Sequence, residues 1–294
     1  TPRPGHADLT GAIKYSYRDL RYSLERASAR ETTARVAAAA ICRKLLSEFG
    51  ITVGSYVTEI GSVAADVTSI PLEERAARAE QSDVRCPHPA AAEIMRTHIR
   101  ETMEAKDTLG GVFEVVALGV PPGLGSYVHW DRKIEGRLAQ ALLSIHAIKG
   151  AEVGTAFENA RRPGTGVHDE IFVEGERVTR HTNRAGGTEG GITTGQPLIL
   201  RAAMKPLSTT LNPLQTVDLA TGEPAPTKYE RSDFCAVPRA AVVGEAMVAY
   251  VLADELLRKL GGDSLAEMKP RFETLRLATL DNLRMDAHEH VFWD

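Results

Sequence analysis

Residues 180–198 read RHTNRAGGTEGGITTGQPL, and five of them are glycine: Gly186, Gly187, Gly190, Gly191 and Gly195. A stretch this poor in apolar side chains cannot form core. Glycine at such density lets the backbone bend sharply and lie close to something else. Exposed N–H groups beside Arg184 suit an anion. The plainer alternative is a mobile surface loop, and the choice depends on what the rest of the chain carries.

The 294 residues are 43% hydrophobic and 25% charged, an ordinary globular composition. No Pro/Ser linker divides the chain, so we read residues 1–294 as a single domain. A net charge of −4 argues against a nucleic-acid surface, and 5% aromatic content argues against base-stacking platforms. No apolar run approaches a membrane span, and the opening TPRPGHADLT does not read as a signal peptide. Cys42, Cys86 and Cys235 are widely spaced, with no CxxC pair. They read as reduced thiols of a cytoplasmic protein and offer no zinc site. His288 and His290 stand two apart in a polar tail and do not read as a metal site. The chain opens at Thr1 directly on the dense motif Arg3-Pro4-Gly5-His6-Ala7-Asp8. We expect that a preceding segment has been lost.

Helices and strands are mixed, without the regular alternation of a doubly wound sheet. Ser28–Gly50 reads as a helix opened by a Ser28/Glu31 capping box, with Val36, Ala40 and Leu45 at helical spacing. Ile51–Val63 reads as a strand, and Ala64–Pro89 as a peripheral loop. Pro89–Ala105 is a second helix with Ile94, Ile99 and Met103 on one face. Gly111–Val120 is a β-branched strand, followed by a turn at Pro122–Gly125. Asp131–Lys149 reads as a helix. Leu198–Met204 and Leu207–Val217 read as neighbouring strands, and Val237–Leu260 as a long apolar helix closed by Gly261-Gly262. The expected class is α+β.

Four polar clusters are candidates for chemistry. Pro4-Gly5 fixes a turn that presents His6 beside Asp8. In Glu25–Thr32, a helix N-terminus lies beside Arg26 and Arg30, spaced to clamp a phosphate or carboxylate. The glycine-rich stretch is the third. The fourth joins Lys205-Pro206-Leu207-Ser208-Thr209 to Arg231–Pro238, where Asp233 reads either as a functional carboxylate or as a helix cap in a surface ion pair. No dinucleotide-binding glycine motif, nucleophile elbow or convincing metal spacing is present.

Taken in order, RPGHAD, ERASARET, NRAGGTEGGITTGQPL, KPLST and RSDFCAVPRA closely resemble chorismate synthase, as does GGVFEVVALGVPPGLGSYVHWDRKIEGRLAQALLSIHAIKG between them. The resemblance runs from Arg3 to about Leu265. It implies an α+β sandwich of antiparallel sheets and helices, assembled as a cytoplasmic homotetramer. It also implies a carbon–oxygen lyase reaction, the anti 1,4-elimination of phosphate from 5-enolpyruvylshikimate-3-phosphate to give chorismate. That reaction, in aromatic amino acid biosynthesis, needs reduced FMN. The sequence leaves open whether NADPH or an external reductant supplies the electrons.

The resemblance also implies site residues. Arg3, Arg30 and Arg231 match substrate clamps. Arg26, Ala27, Ser28, His146, Ala147, Gly190, Lys205, Pro206, Leu207, Ser208, Thr209 and Arg231 match flavin contacts. His6 matches the histidine that protonates reduced flavin, and Asp233 the aspartate near the flavin N5. No metal, membrane or nucleic-acid partner is implied. The family's Gly-Glu-Ser-His-Gly motif does not occur in this sequence. A catalytically incomplete flavin- or anion-binding fragment is therefore the second reading.

Overall fold

A computed structural model describes residues 1–230 and 232–283. Five strands form one antiparallel sheet in the order Val63–Ala64, Thr52–Ile60, Gly111–Leu118, Leu198–Met204 and Ile148–Val153. Three two-stranded hairpins stand outside it. The sheet's two faces differ because side chains alternate along each strand. Val53, Ser55 and Val57 sit in register with Ala117, Val115 and Phe113, which in turn oppose Leu198, Leu200 and Ala202. This face is buried under the helices Thr32–Ser47, Ile134–Leu143 and Val237–Leu260. On the other face Tyr56, Glu114, Arg201 and Glu152 form a row across four strands. Tyr56 donates to Glu114 at 2.5 Å, and Arg201 pairs with both Glu114 and Glu152. Burial and the Glu114 carboxylate push the Tyr56 hydroxyl pKa well above the ordinary tyrosine value.

The helix Val237–Leu260 is buried on most sides, with apolar residues around most of its circumference and six charged residues among them. Its 24 residues make it about 36 Å long. It lies flat on the sheet at Gly244, where an added Cβ would stand 2.6 Å from the Phe113 ring and 3.0 Å from Val115. The next residue, Glu245, is buried and accepts from Ser55 Oγ at 2.7 Å, Arg85 at 2.9 Å and Arg43 at 2.8 Å. Burial raises the pKa of this carboxyl, and Ser55 and the two arginines oppose the rise. Further along, Glu255 and Asp254 pair with Arg137 of Ile134–Leu143.

Several boundaries differ from the sequence expectation. Ala64–Pro89 contains a helix, Leu72–Ala79, masked by its charge-rich sequence LEERAARA. Its Ala76 lies against Gly54, and Ala79 packs with Tyr56 and Val116. Ser28 caps a single 3-10 turn, Ala29–Glu31, before the helix Thr32–Ser47 begins. Glu31 does not close a capping box, because Arg35 holds its carboxylate. Ala40 is exposed and Ala39 faces inward. In Pro89–Glu104 the inward residues are Ala91, Ala92 and Met95, while Ile94 and Met103 are exposed. The helix after Asp131 is only Ile134–Leu143, and Ile148–Lys149 already belongs to a strand. Of Leu207–Val217 only Gln215–Val217 is strand, and it pairs with Pro224–Pro226 rather than with Leu198–Met204. Tethers divert the chain there. Thr108 Oγ1 donates to the Leu207 carbonyl at 2.7 Å, and Lys205 N donates to Ala147 O at 2.9 Å. His288 and His290 lie outside the described residues. Among the described residues no helix is long and apolar enough to cross a membrane.

Gly244 supports a direct prediction. Glycine-to-alanine changes inside helices ordinarily stabilise by about 1 kcal/mol. Here the added methyl meets a packed aromatic ring, so Gly244→Ala should instead destabilise by about 1–3 kcal/mol, the usual cost of overpacking. Denaturant unfolding of the two proteins measures this.

Candidate active site

A cleft of about 710 Å³ opens where the strand Leu198–Met204 leaves the sheet, beside the start of the long helix. Five separated segments line it: the N-terminal turn, residues 24–33, residues 145–147, residues 204–209, and residues 230–243. One wall is apolar, built from Ile145, Ala147, Met204, Leu207, Ala240 and Val243. The opposite rim carries Arg3, His6, Ser28, Arg30, Ser208, Thr209 and Asp233.

The N-terminal turn is held by a buried carboxylate. Asp8 accepts from His6 Nδ1 at 2.6 Å, from Arg3 Nε at 2.8 Å, and from Arg3 Nη2 and the Arg3 backbone N at 3.1 Å each. Burial raises the pKa of Asp8, but the Arg3 hydrogen bonds and the nearby His6 outweigh it and leave the carboxyl below its ordinary value. Arg3 then reaches across to Thr209 Oγ1 at 3.2 Å and Glu230 at 3.5 Å. The guanidinium thereby ties the N-terminal turn to the 204–209 and 230–243 segments.

Ser28 Oγ accepts from Arg30 N at 3.3 Å, and the Arg30 side chain stands exposed near Glu25. His146 is half-buried at the far wall, and its buried Nδ1 has no hydrogen-bond partner. Burial lowers its pKa, Glu31 opposes this, and Arg35, His6 and Arg26 add to the lowering. Ala147, next along, adopts φ +64, which is strained for a residue with a side chain. Lys205 is half-buried, its pKa lowered by burial and by Lys149. Asp233 is not a helix cap: Ala236 occupies that position with no side-chain bond, and Asp233 pairs with Arg239 instead.

The cleft thus gathers Arg3, His6, Ala27, Ser28, Arg30, His146, Ala147, Leu207, Ser208, Thr209 and Asp233. It does not gather every expected residue. Arg26 closes a short helix, Arg21–Arg26, and lines a separate surface hollow with Asp19, Arg21 and Tyr22. The helix breaks at Ala27, so Arg26 and Arg30 do not form an i,i+4 clamp on one helix. Lys205 and Pro206 are not among the lining residues: Pro206 is exposed, and Lys205 Nζ lies close to Gly5. Arg231 lies outside the described residues. Glu25, Glu230 and Arg239 line the cleft without having been singled out, although Arg239 stands in the quoted RSDFCAVPRA run.

Gly190 is not among the cleft residues. It turns the hairpin between Thr188–Glu189 and Ile192–Thr193. The glycine-rich stretch around it is neither a loose loop nor a vacant anion cradle. Gly186 abuts Gly154, Gly187 abuts the Pro197 carbonyl, and Gly191 abuts Lys133, all closer than a Cβ would permit. The anion is the chain's own. Asp169 accepts from Arg184 N and Ala185 N at 2.9 Å each and from Thr182 Oγ1 at 2.5 Å. Burial raises its pKa, and these hydrogen bonds reverse the shift, leaving it below 3.8.

The family model described as "Chorismate synthase" matches residues 1–257. The chain belongs to the chorismate synthase family. It is 56% identical over 281 residues to a chorismate synthase of Aquifex aeolicus, covering 92% of this chain and 71% of the relative. It is 53% identical over 287 residues to that of Rubrobacter xylanophilus, covering 97% and 73%. A crystal structure of chorismate synthase superposes with a TM-score of 0.79 at 51% identity, covering 91% of this chain and 75% of the other. The α+β class and the carbon–oxygen lyase assignment both follow from membership of the chorismate synthase family.

Asp169 gives the glycine-rich stretch a pH signature. A carboxyl whose folded pKa lies below its unfolded value stabilises the fold above the unfolded value, here about 3.8. That stability fades as pH falls through the folded value. Asp169→Asn offers one acceptor oxygen in place of two and should cost about 1–3 kcal/mol at neutral pH. The gap between the two proteins should close in acid, as thermal melts across the pH range would record.

Proposed function

We propose that this chain catalyses the anti 1,4-elimination of phosphate from 5-enolpyruvylshikimate-3-phosphate to give chorismate, with reduced FMN as cofactor. The observation that carries this reading is the convergence, in one cleft, of His6, Arg3, Ser28, Arg30, His146 and Asp233 from four distant segments.

The cleft fits a flavin. Its apolar wall suits a planar ring system, its hydroxyls and arginines suit a phosphorylated tail, and the buried His146 Nδ1, 3.6 Å from Glu31 and without a hydrogen bond, supplies a further polar atom. Reduced flavin, when bound, is electron-rich and supplies charge to the allylic system as phosphate leaves. Among the residues proposed to hold it are Ala27, Ser28, His146, Ala147 and Leu207 to Thr209. Arg26, Gly190, Lys205, Pro206 and Arg231 remain proposals drawn from the family resemblance.

The substrate carries two carboxylates and a phosphate. Arg3 and Arg30 offer planar, permanently charged donors for such groups, and Arg231 joins them in this proposal. Arg3 arrives already oriented by Asp8, so less ordering remains to be done on binding. His6 holds a proton at the cleft edge and can release it there. Asp233, set at the rim by Arg239, is the group able to accept one.

The proposal extends to a cytoplasmic homotetramer built from single-domain chains. The exposed Tyr127, Val128 and Trp130, apolar groups clustered in one loop, support a subunit contact there. Light scattering on the whole protein reads the assembly.

Two outcomes test the catalytic reading. Asp233→Asn keeps shape and polarity but cannot take a proton as a carboxylate does. In an anaerobic assay with reduced FMN it should retain ligand binding while turnover falls about 10²-fold or more. Turnover equal to wild type would remove Asp233 from the reaction. Flavin and substrate share the arginine-bearing rim, so each should order charge for the other. FMN affinity should rise about 5–150-fold with substrate present, the usual range of coupling between sites. Equal dissociation constants in the two titrations would count against a shared cleft.

A further inference from the structure

We propose that Asp8 is a positioning residue that sets, with one buried carboxylate, both the tautomer of His6 and the direction of Arg3. The inference deepens the proposed function and rests on His6 being the cleft's proton-carrying group.

The argument starts from what a carboxylate can do. An ionised carboxylate only accepts hydrogen bonds. The 2.6 Å contact between Asp8 Oδ1 and His6 Nδ1 therefore requires the proton on Nδ1. In the neutral ring this leaves Nε2 as a bare acceptor, the one ring nitrogen Asp8 does not engage. Arg3 Nη2 lies 3.0 Å from Nδ1 and 3.4 Å from Nε2, against the ring rather than in line with either nitrogen. A guanidinium only donates, and Nδ1 already carries a proton, so Arg3 cannot bond to it. Its Nη2 donates instead to Asp8 Oδ1 at 3.1 Å, while Nε donates to Oδ2 at 2.8 Å. The carboxylate is thus gripped by a two-pronged fork on one side and by the imidazole on the other.

Burial and local structure make this arrangement rigid. Asp8 is 3% exposed. It is the first residue of the helix Asp8–Tyr15, where a negative charge is favoured. The Pro4-Gly5 turn, with Gly5 at φ +77 and a His6 N to Arg3 O bond at 3.2 Å, folds the segment so that residues 3, 6 and 8 converge. Asp8 is not itself among the residues lining the cleft, whereas His6 and Arg3 are. It acts through them.

The experiment uses the whole protein labelled with ¹⁵N-histidine, with the His6 signals assigned by their loss in His6→Gln. Spectra are recorded across the pH range, and the tautomer is read from the species in which one ring nitrogen carries no proton. The expected wild-type signature is a protonated Nδ1 and a bare Nε2. Asp8→Asn can donate to the ring as well as accept from it, so population should move toward the Nε2–H form. Turnover should fall at least about tenfold, as when a residue behind a catalytic imidazole is lost. A wild-type ring protonated on Nε2 overturns the proposal without any variant, even if Asp8→Asn fails to fold. An Asp8→Asn protein with unchanged turnover overturns it as well. Absence of turnover in the unsubstituted protein would sink the proposed function, while the tautomer measurement would still decide whether Asp8 sets the ring.

Discussion

The long helix rests on the sheet because residue 244 has no side chain. At that point backbone meets the Phe113 ring directly, and one residue later the buried Glu245 draws Ser55, Arg43 and Arg85 into a single ion cluster. Close contact and buried charge therefore occur side by side on one helical turn. Each reinforces the other's geometry. The apolar contact fixes the depth of the helix, and the ion cluster fixes its rotation, since a buried carboxylate tolerates only positions in which its partners reach it. The cleft depends on this seating. Ala236, Arg239, Ala240 and Val243 belong to the end of the same helix, and a shift at residue 244 would be transmitted along a rigid rod to all of them.

Much of this was legible in the sequence. Leu198–Met204 and Val237–Leu260 fall on the residues expected, because both are long apolar runs bounded by proline or glycine. Boundaries failed where tertiary contacts override local pattern. Leu72–Ala79 is half charged, and only its seating against Gly54 and Tyr56 gives it an inside. Residues 207–214 look strand-like, yet tethers to Thr108 and Ala147 turn that stretch into a cleft wall. The Thr108–Leu207 tether spans 99 residues and the one from Ala147 to Lys205, just before the stretch, spans 58, and no local pattern announces them.

The site was legible in a different way. Individual clusters such as Pro4–Asp8 carried weak local signals, and their order along the chain supplied the family resemblance. Geometry added what order cannot. It separated Arg30 from Arg26, took Asp233 out of a capping role and tied it to Arg239, and put Glu230 within reach of Arg3. His146 is instructive here. Its sequence context is an ordinary apolar helix end, and only its burial and an Nδ1 without a hydrogen bond mark it out.

The glycine-rich stretch reverses a habit of reading composition. Its amino-acid content is that of a flexible linker, yet Gly186 and Gly187 sit where neighbouring backbones touch. A protease or an amide-exchange experiment should therefore find it closed, because opening it would require pulling Gly186 from Gly154 and releasing Asp169 from two amides. Replacing it with a serine-rich spacer of equal length would preserve its polarity and destroy its packing. In this molecule glycine works as a spacer of zero thickness, letting strands and loops approach nearer than any side chain allows.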